Sequence, residues 1–328
     1  MRRSTDGGLT FDPPVVRVHH EDYGEGPISN FVMIADRDGE GLQALFCHDY
    51  ARVFSMQSVD DGASFNQPTD ITDVFEQFRT DYPWRVCATG PGHGLQLRNG
   101  RMIIPVWLSD GSGSEFGSEH RGHRPSIVSL IYSDDRGSTW QRGEIVCRDG
   151  DAIDGTMIKN PNETVGVEHS DGRVMFNIRS ESTSNRRLVA VSPDGISGWQ
   201  VLGFNDALLE PVCMASMLRY TLPTERKHGS VLFANPDNLE NEMIPAGGHL
   251  AHDRKRLTIK VSEDDGETWP LAKVLEKGPA GYSDLARLAD GTILCLYECG
   301  IITRMGDDHY LRLARFNMDW VTSTSEPI

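Results

Sequence analysis

No run of about 18 apolar residues occurs in the chain, so the sequence offers no membrane-spanning helix. Cys-x-x-Cys pairs are missing, which removes the common zinc spacings. The six cysteines, at 47, 87, 147, 213, 295 and 299, are scattered too widely for a disulfide framework, and buried free thiols are expected. Gly-x-Gly-x-x-Gly, the phosphate-binding loop and Gly-x-Ser-x-Gly are also absent, so nothing calls for a nucleotide or other cofactor. His120 and His123 stand three apart in a Gly/Ser-rich loop without a third ligand, and no metal is expected there. The first residues, Met1 to Gly8, include no apolar segment, so no secretory leader is visible and the compartment stays open. Basic residues are outnumbered, 32 Lys and Arg against 48 Asp and Glu, for a net charge of −16. Nucleic acid and anionic membrane surfaces are therefore poor partners. An anionic small ligand needs a local arginine cluster to overcome that background.

What is present is repetition. An octet of the form Ser-x-Asp-x-Gly-x-Thr-Trp begins at Ser4, Ser58, Ser133 and Ser262, with a degenerate copy at Ser192. The copies lie 54, 75, 59 and 70 residues apart. Ser and Asp side chains bond nearby backbone amides, Gly accepts positive φ, and the closing aromatic ring buries against the next strand. The octet reads as a turn and holds nothing catalytic. A second repeat interleaves with it. Asn99-Gly100, Asp171-Gly172 and Asp290-Gly291 each sit between apolar strand patterns, and Asp38-Gly39 and His228-Gly229 fit the same slot. These are hairpin signals.

Hairpin and box alternate, giving about four antiparallel strands per unit, the content of one propeller blade. No stretch shows a long 3.6-residue apolar period and no linker divides the chain. The expectation is an all-β fold, a six-bladed β-propeller whose first blade is incomplete, spanning residues 1–328 as a single domain. The polar stretches 109–124 and 237–256 read as long loops on a blade face.

The stretches between the boxes are more specific. Gly90-Pro91-Gly92-His93-Gly94, Asn162-Glu163 with Asn177-Ile178-Arg179-Ser180, Arg254-Lys255-Arg256 ahead of the last box, and Gly281-Tyr282-Ser283-Asp284 with Leu296-Tyr297-Glu298 resemble the sialidases (exo-α-neuraminidases) over nearly the whole chain. That resemblance implies retaining hydrolysis of terminal α-linked sialic acids, with sialylated glycans or glycoconjugates as substrates. It implies Tyr282 as nucleophile and Glu163 as its general base. Chemically this suits a sugar whose anomeric carbon bears a carboxylate, since a second carboxylate attacking there meets a like charge. Taken alone, a tyrosine near a strand start reads as a half-buried packing residue, and it is the surrounding motif that reverses this. By the same resemblance Arg179 and Arg254 hold the substrate carboxylate through guanidinium forks. Arg256 is the near alternative to Arg254. Glu298 takes the place of the glutamate that braces a further arginine.

One departure stands out. In the sialidases an Arg-Ile-Pro segment and a general-acid aspartate precede the first box. Here the first box begins at Ser4, and Arg-Ile-Pro occurs nowhere in the chain. The expectation is a start internal to a longer reading frame, with a decayed paralogue as the competing explanation. A propeller that binds sialic acid or another acidic sugar without cleaving it is the alternative function.

Overall fold

The structure is a computed structural model that describes residues 1–37, 39, 41–117, 121–221, 229–243, 251–300 and 309–323. Its regular elements are almost all strands; among the described residues the two α-helices, α1 (Thr72–Glu76) and α2 (Met318–Thr322), are single turns. The first strands are β1 (Ile28–Ala35), β2 (Leu42–His48), β3 (Arg52–Ser58) and β4 (Thr69–Asp70), an antiparallel meander. Next come β5 (Val86–Thr89), β6 (Gly92–His93), β7 (Leu95–Gln96), β8 (Met102–Ser109), β9 (Ser126–Ser133), β10 (Gln141–Arg142) and β11 (Cys147–Arg148). Of these β6 joins the first sheet, parallel to β1, and the others build a second sheet around β8 and β9. A small ribbon, β12 (Ala152–Ile153) with β13 (Thr156–Met157), leads to a four-stranded meander of β14 (Thr164–Glu168), β15 (Val174–Ile178), β16 (Arg186–Ser192) and β17 (Gln200–Leu209).

The last sheet contains β18 (Ser216–Arg219), β19 (Val231–Pro236), β20 (Lys255–Ser262), β21 (Leu271–Arg287), β22 (Ile293–Gly300) and β23 (His309–Phe316), in that order. Its centre is the 17-residue β21. The first half of β21 pairs with β20 and the second half with β22, so one strand serves two meanders. The inner strands β14, β18 and β21 pack side by side around a central axis, the propeller-like arrangement the repeats call for. Apolar alternation along the strands fills the space between sheets; Trp84, Phe46, Phe176 and Phe233 are fully buried there. All six cysteines are buried and free.

From Ser58 onward each box lies between the third and fourth strands of its unit, and the bonds of the boxes follow one pattern. In the Ser133 box the Asp135 carboxylate accepts from Ser133 Oγ, Thr139 N and Thr139 Oγ1 at 2.6–2.8 Å, and Gly137 N donates to Ser133 Oγ. The box at Ser4 repeats this with Asp6 and Thr10. The closing rings of Trp140 and Trp269 are buried, whereas Phe11 is exposed. No strand is formed among residues 1–27, so Phe11 has no sheet of its own to enter, and Arg2 lies over its ring.

The boxes also join neighbours. Gln43 of β2 donates to Arg136 O, Arg101 donates to Asp194 O, and Ser170 and Arg219 bond Asp265. Apart from the Arg219 bond, which stays within the last sheet, each of these contacts lets one sheet hold the box of the next. The first box continues the series from the other end of the chain. Its Gly8 presses so closely on Leu313 of β23 that a Cβ there would come within 2.9 Å of that side chain.

Of the expected hairpins, those at Gly100, Gly172 and Gly291 adopt the positive φ that favours glycine, 91°, 93° and 86°. Asp38 and His228 lie outside the described residues, although β1–β2 and β18–β19 are paired as expected.

Candidate active site

Glu163 and Arg179 are brought together by the simplest device in the fold. Glu163 immediately precedes β14 and Arg179 immediately follows β15, and Thr164 pairs with Ile178 across that hairpin. The two residues are cross-strand neighbours, with Arg179 N donating to Glu163 O. Their side chains form an ion pair between Arg179 Nη1 and Glu163 Oε2, with Glu163 only 8% exposed.

Tyr282 arrives from a different sheet. The β21–β22 register slips between Ala280 and Ser283, leaving Gly281 and Tyr282 in a bulge. A bulge re-aims one side chain out of the alternation. The Tyr282 hydroxyl donates to Glu163 Oε1, and Arg179 Nη1 donates to the same phenolic oxygen at 3.2 Å. Glu298, in the facing strand β22, accepts the Tyr282 backbone N–H at 3.0 Å. It thereby ties the bulge, and no cation contacts its carboxylate among the described residues.

Arg254 stands just before β20. Its guanidinium lies 5.3 Å from the Tyr282 ring centroid and donates to Val212 O at 2.8 Å. Arg256 falls in an irregular stretch of β20 with φ 61° and an exposed side chain, away from this group. The structure therefore brings together Tyr282, Glu163, Arg179 and Arg254, adds Glu298 through the backbone, and leaves Arg256 outside.

Electrostatics follow from this crowding. Burial raises the Tyr282 hydroxyl far above its ordinary value, and the Glu163 charge adds to the rise; Arg179 and Arg254 oppose it. The phenol is therefore protonated at neutral pH, with an acceptor already in contact. Burial works to lower Arg179, but the Glu163 carboxylate prevails and holds the guanidinium firmly charged. Arg179 Nε and Arg254 Nε are both buried donors without an acceptor. An unmet buried donor is costly, and an incoming anion can satisfy it.

Three further features were not anticipated from the residues. Behind Arg179, the fully buried Arg187 pairs with Glu210 at 2.6 Å and bonds Asn177 and Cys213 O. A charged pair opening the apolar strand Leu188–Ser192 was the available signal. Secondly, an aromatic group, Tyr50, Trp107, Phe116 and His123, packs with centroid separations of 4.5–6.1 Å. Burial pushes His123 down to about 4, against the opposing charges of Glu115 and Glu163. His123 is thus a neutral packing ring; His120 lies outside the described residues. Thirdly, His93 beneath the bulge bonds Asp284 at 2.6 Å.

Residues 45–295 match the BNR repeat-like domain family. The sialidase of Micromonospora viridifaciens is 31% identical over 360 residues, covering 100% of this chain and 47% of that protein. The chain belongs to the BNR-repeat sialidase family. Human Sialidase-3 is 27% identical over 296 residues, covering 82% of this family member and 67% of its own length. Among solved structures, the Hadza microbial sialidase Hz136 shares the fold at a TM-score of 0.74 and 22% identity, over 98% of this chain and 59% of its own. Trypanosoma rangeli sialidase in complex with the inhibitor DANA does so at 0.68 and 18%, over 96% and 49%. The chain thus spans about half the length of the Micromonospora and Trypanosoma relatives.

Proposed function

We propose that the chain is an exo-α-sialidase that cleaves terminal α-linked sialic acids from glycoconjugates with retention of configuration. The observation that carries this reading is the convergence of Tyr282, Glu163, Arg179 and Arg254, with two buried guanidinium Nε–H groups left to receive an anion. In this reading the substrate carboxylate docks on Arg179 and Arg254. Tyr282 Oη attacks the anomeric carbon as the bond to the leaving oxygen breaks, and the phenolic proton passes to Glu163. Water then attacks on the face that the leaving group vacated and displaces the tyrosine; the phenolate recovers its proton from Glu163, and the proton that water loses goes to the departed oxyanion. Two inversions give net retention. Glu298 holds the bulge that aims the nucleophile.

We further propose one six-unit propeller domain over residues 1–328. Support comes from the sheet-to-box bonding, which passes along the chain and returns through the Ser4 box to β23. The unit headed by Ser4 contributes a box and no strand among the described residues.

The test is hydrolysis of a methylumbelliferyl sialoside by the full chain and by Tyr282→Phe. Turnover abolished by that substitution supports the enzyme. The same pair of buried guanidinium donors also suits a second reading, a propeller that binds acidic sugars without cleaving them. Saturable sialic acid binding with no turnover, unchanged in Tyr282→Phe, would establish it.

A further inference from the structure

The inner strands carry a second arginine group at their opposite end. Tyr282 and Glu163 lie at one end of inner β21 and β14; Arg287 and Glu168 lie five residues further along each strand, about 16 Å away at strand rise. There a cavity of about 370 Å³ opens, walled by β1, β6, β7, β14, β18 and β21. That size lies within the range of small-molecule sites. Its wall is apolar, with Met33, Ile34, Leu95, Met217 and Leu285. Four arginines, Arg37, Arg98, Arg219 and Arg287, surround it. In a chain of net charge −16 such a cluster is unexpected.

Two of the four are committed inside the fold. Arg98 bonds Glu168, and Arg219 bonds Asp265. The other two have no carboxylate partner among the described residues. The Arg37 guanidinium donates to the Gln96 carbonyl, and Arg287 lies over the Tyr220 ring at 5.3 Å. Both are exposed, so they lose little by turning toward a ligand. A further observation also points to a ligand. His169, 7% exposed, lines the same cavity, and neither of its ring nitrogens has a hydrogen-bond partner. At the inner end His93 is saturated by Asp284 and the Met217 carbonyl, which separates this cavity from the Tyr282 site.

We propose that this cavity is a second ligand site, distinct from the Tyr282 centre, for a small organic anion. The apolar body of the ligand enters among Met33, Leu95 and Leu285, and its carboxylate, sulfonate or phosphate head is held by Arg37 and Arg287. Guanidinium groups suit all three heads. His169 supplies a buried N–H within the wall.

The test is calorimetric titration of the full chain with benzoate, benzenesulfonate and phenyl phosphate, which rank the head group, and with benzyl alcohol as neutral control. One anion is expected to bind saturably, and the alcohol is not. Affinity is expected to fall at least tenfold in Arg37→Ala/Arg287→Ala and to stay within twofold in Arg254→Met. Binding that survives the double substitution and disappears in Arg254→Met would place the anion at the other end and overturn the proposal, as would no binding of any anion up to tens of millimolar. Independently of the variants, crystals soaked in bromobenzenesulfonate are expected to show anomalous bromine density between Arg37 and Arg287. Density confined to the Arg179 and Arg254 site, or none at all, would also overturn it.

Discussion

Replacing Glu163 by Gln tests the proposed chemistry most directly, because it removes a charge and leaves the shape. The amide still reaches Tyr282 Oη and Arg179 Nη1, but it cannot take the phenolic proton. A general base contributes about 10²–10⁴-fold, or about 3–5 kcal/mol of barrier. On a methylumbelliferyl sialoside, kcat is expected to fall by that factor, whereas KM changes little because Arg179 and Arg254 remain. A second readout comes from the same substitution. After burial, the Glu163 charge is the largest influence that raises the Tyr282 hydroxyl, and Arg179 and Arg254 both oppose it. Without the carboxylate the phenol faces two guanidinium groups, opposed by burial and the smaller influence of Cys213. Its ionisation is therefore expected to move to lower pH, read as phenolate absorbance in the difference spectrum against Tyr282→Phe. Unchanged kcat in Glu163→Gln would refute the base assignment. A Tyr282 titration that stays put or moves upward would refute the electrostatic reasoning, whatever the turnover.

Arg254→Met is expected to weaken sialic acid binding about tenfold or more, the loss of one charge-assisted contact, whereas Arg256→Met leaves the titration isotherm unchanged. Arg187→Met strands the buried Glu210 carboxylate and is expected to cost about 3–5 kcal/mol in urea unfolding, most of it recovered in Arg187→Met/Glu210→Leu. Trp269→Ala removes a buried box ring and is expected to cost about 3–5 kcal/mol by the same method. The box aspartates are held below the ordinary carboxylate range, Asp60 down to about 2, chiefly through bonds from Ser64 and Ser58. A depressed folded-state value stabilises above the unfolded value and is lost as pH falls through the folded one. Unfolding monitored by tryptophan fluorescence is therefore expected to begin only below about pH 4 and to continue toward pH 2. Asp60→Asn removes that box's share of the dependence.

Repeat structure was readable because a turn is a local object. The box places its serine, aspartate, glycine and threonine within seven residues, so spacing alone reveals the bonds seen at Asp135 and Asp264. Hairpin signals at Gly100, Gly172 and Gly291 were legible for the same reason. The cross-strand placement of Glu163 beside Arg179 was half legible, since a hairpin turn lies between them and the strands are of equal length. The Tyr282 bulge was not, because a register slip depends on the facing strand and on Glu298 across it. Arg187 and the aromatic group around His123 were missed because Glu210 and Tyr50, which complete them, are 23 and 73 residues away in sequence.

By itself, then, the sequence determined the all-β class, the alternation of hairpin and box, and the residue types able to hold an anion and attack beside it. These are short-range properties, carried by turn chemistry and strand alternation. Tertiary structure decided which arginine of the 254–256 pair turns inward, that Glu298 ties the Tyr282 backbone, and that a second arginine group gathers at the far end of the axis. Each of those outcomes depends on register and on one sheet facing another. Such contacts are set by how inner strands pack around an axis, and a linear pattern does not contain that information.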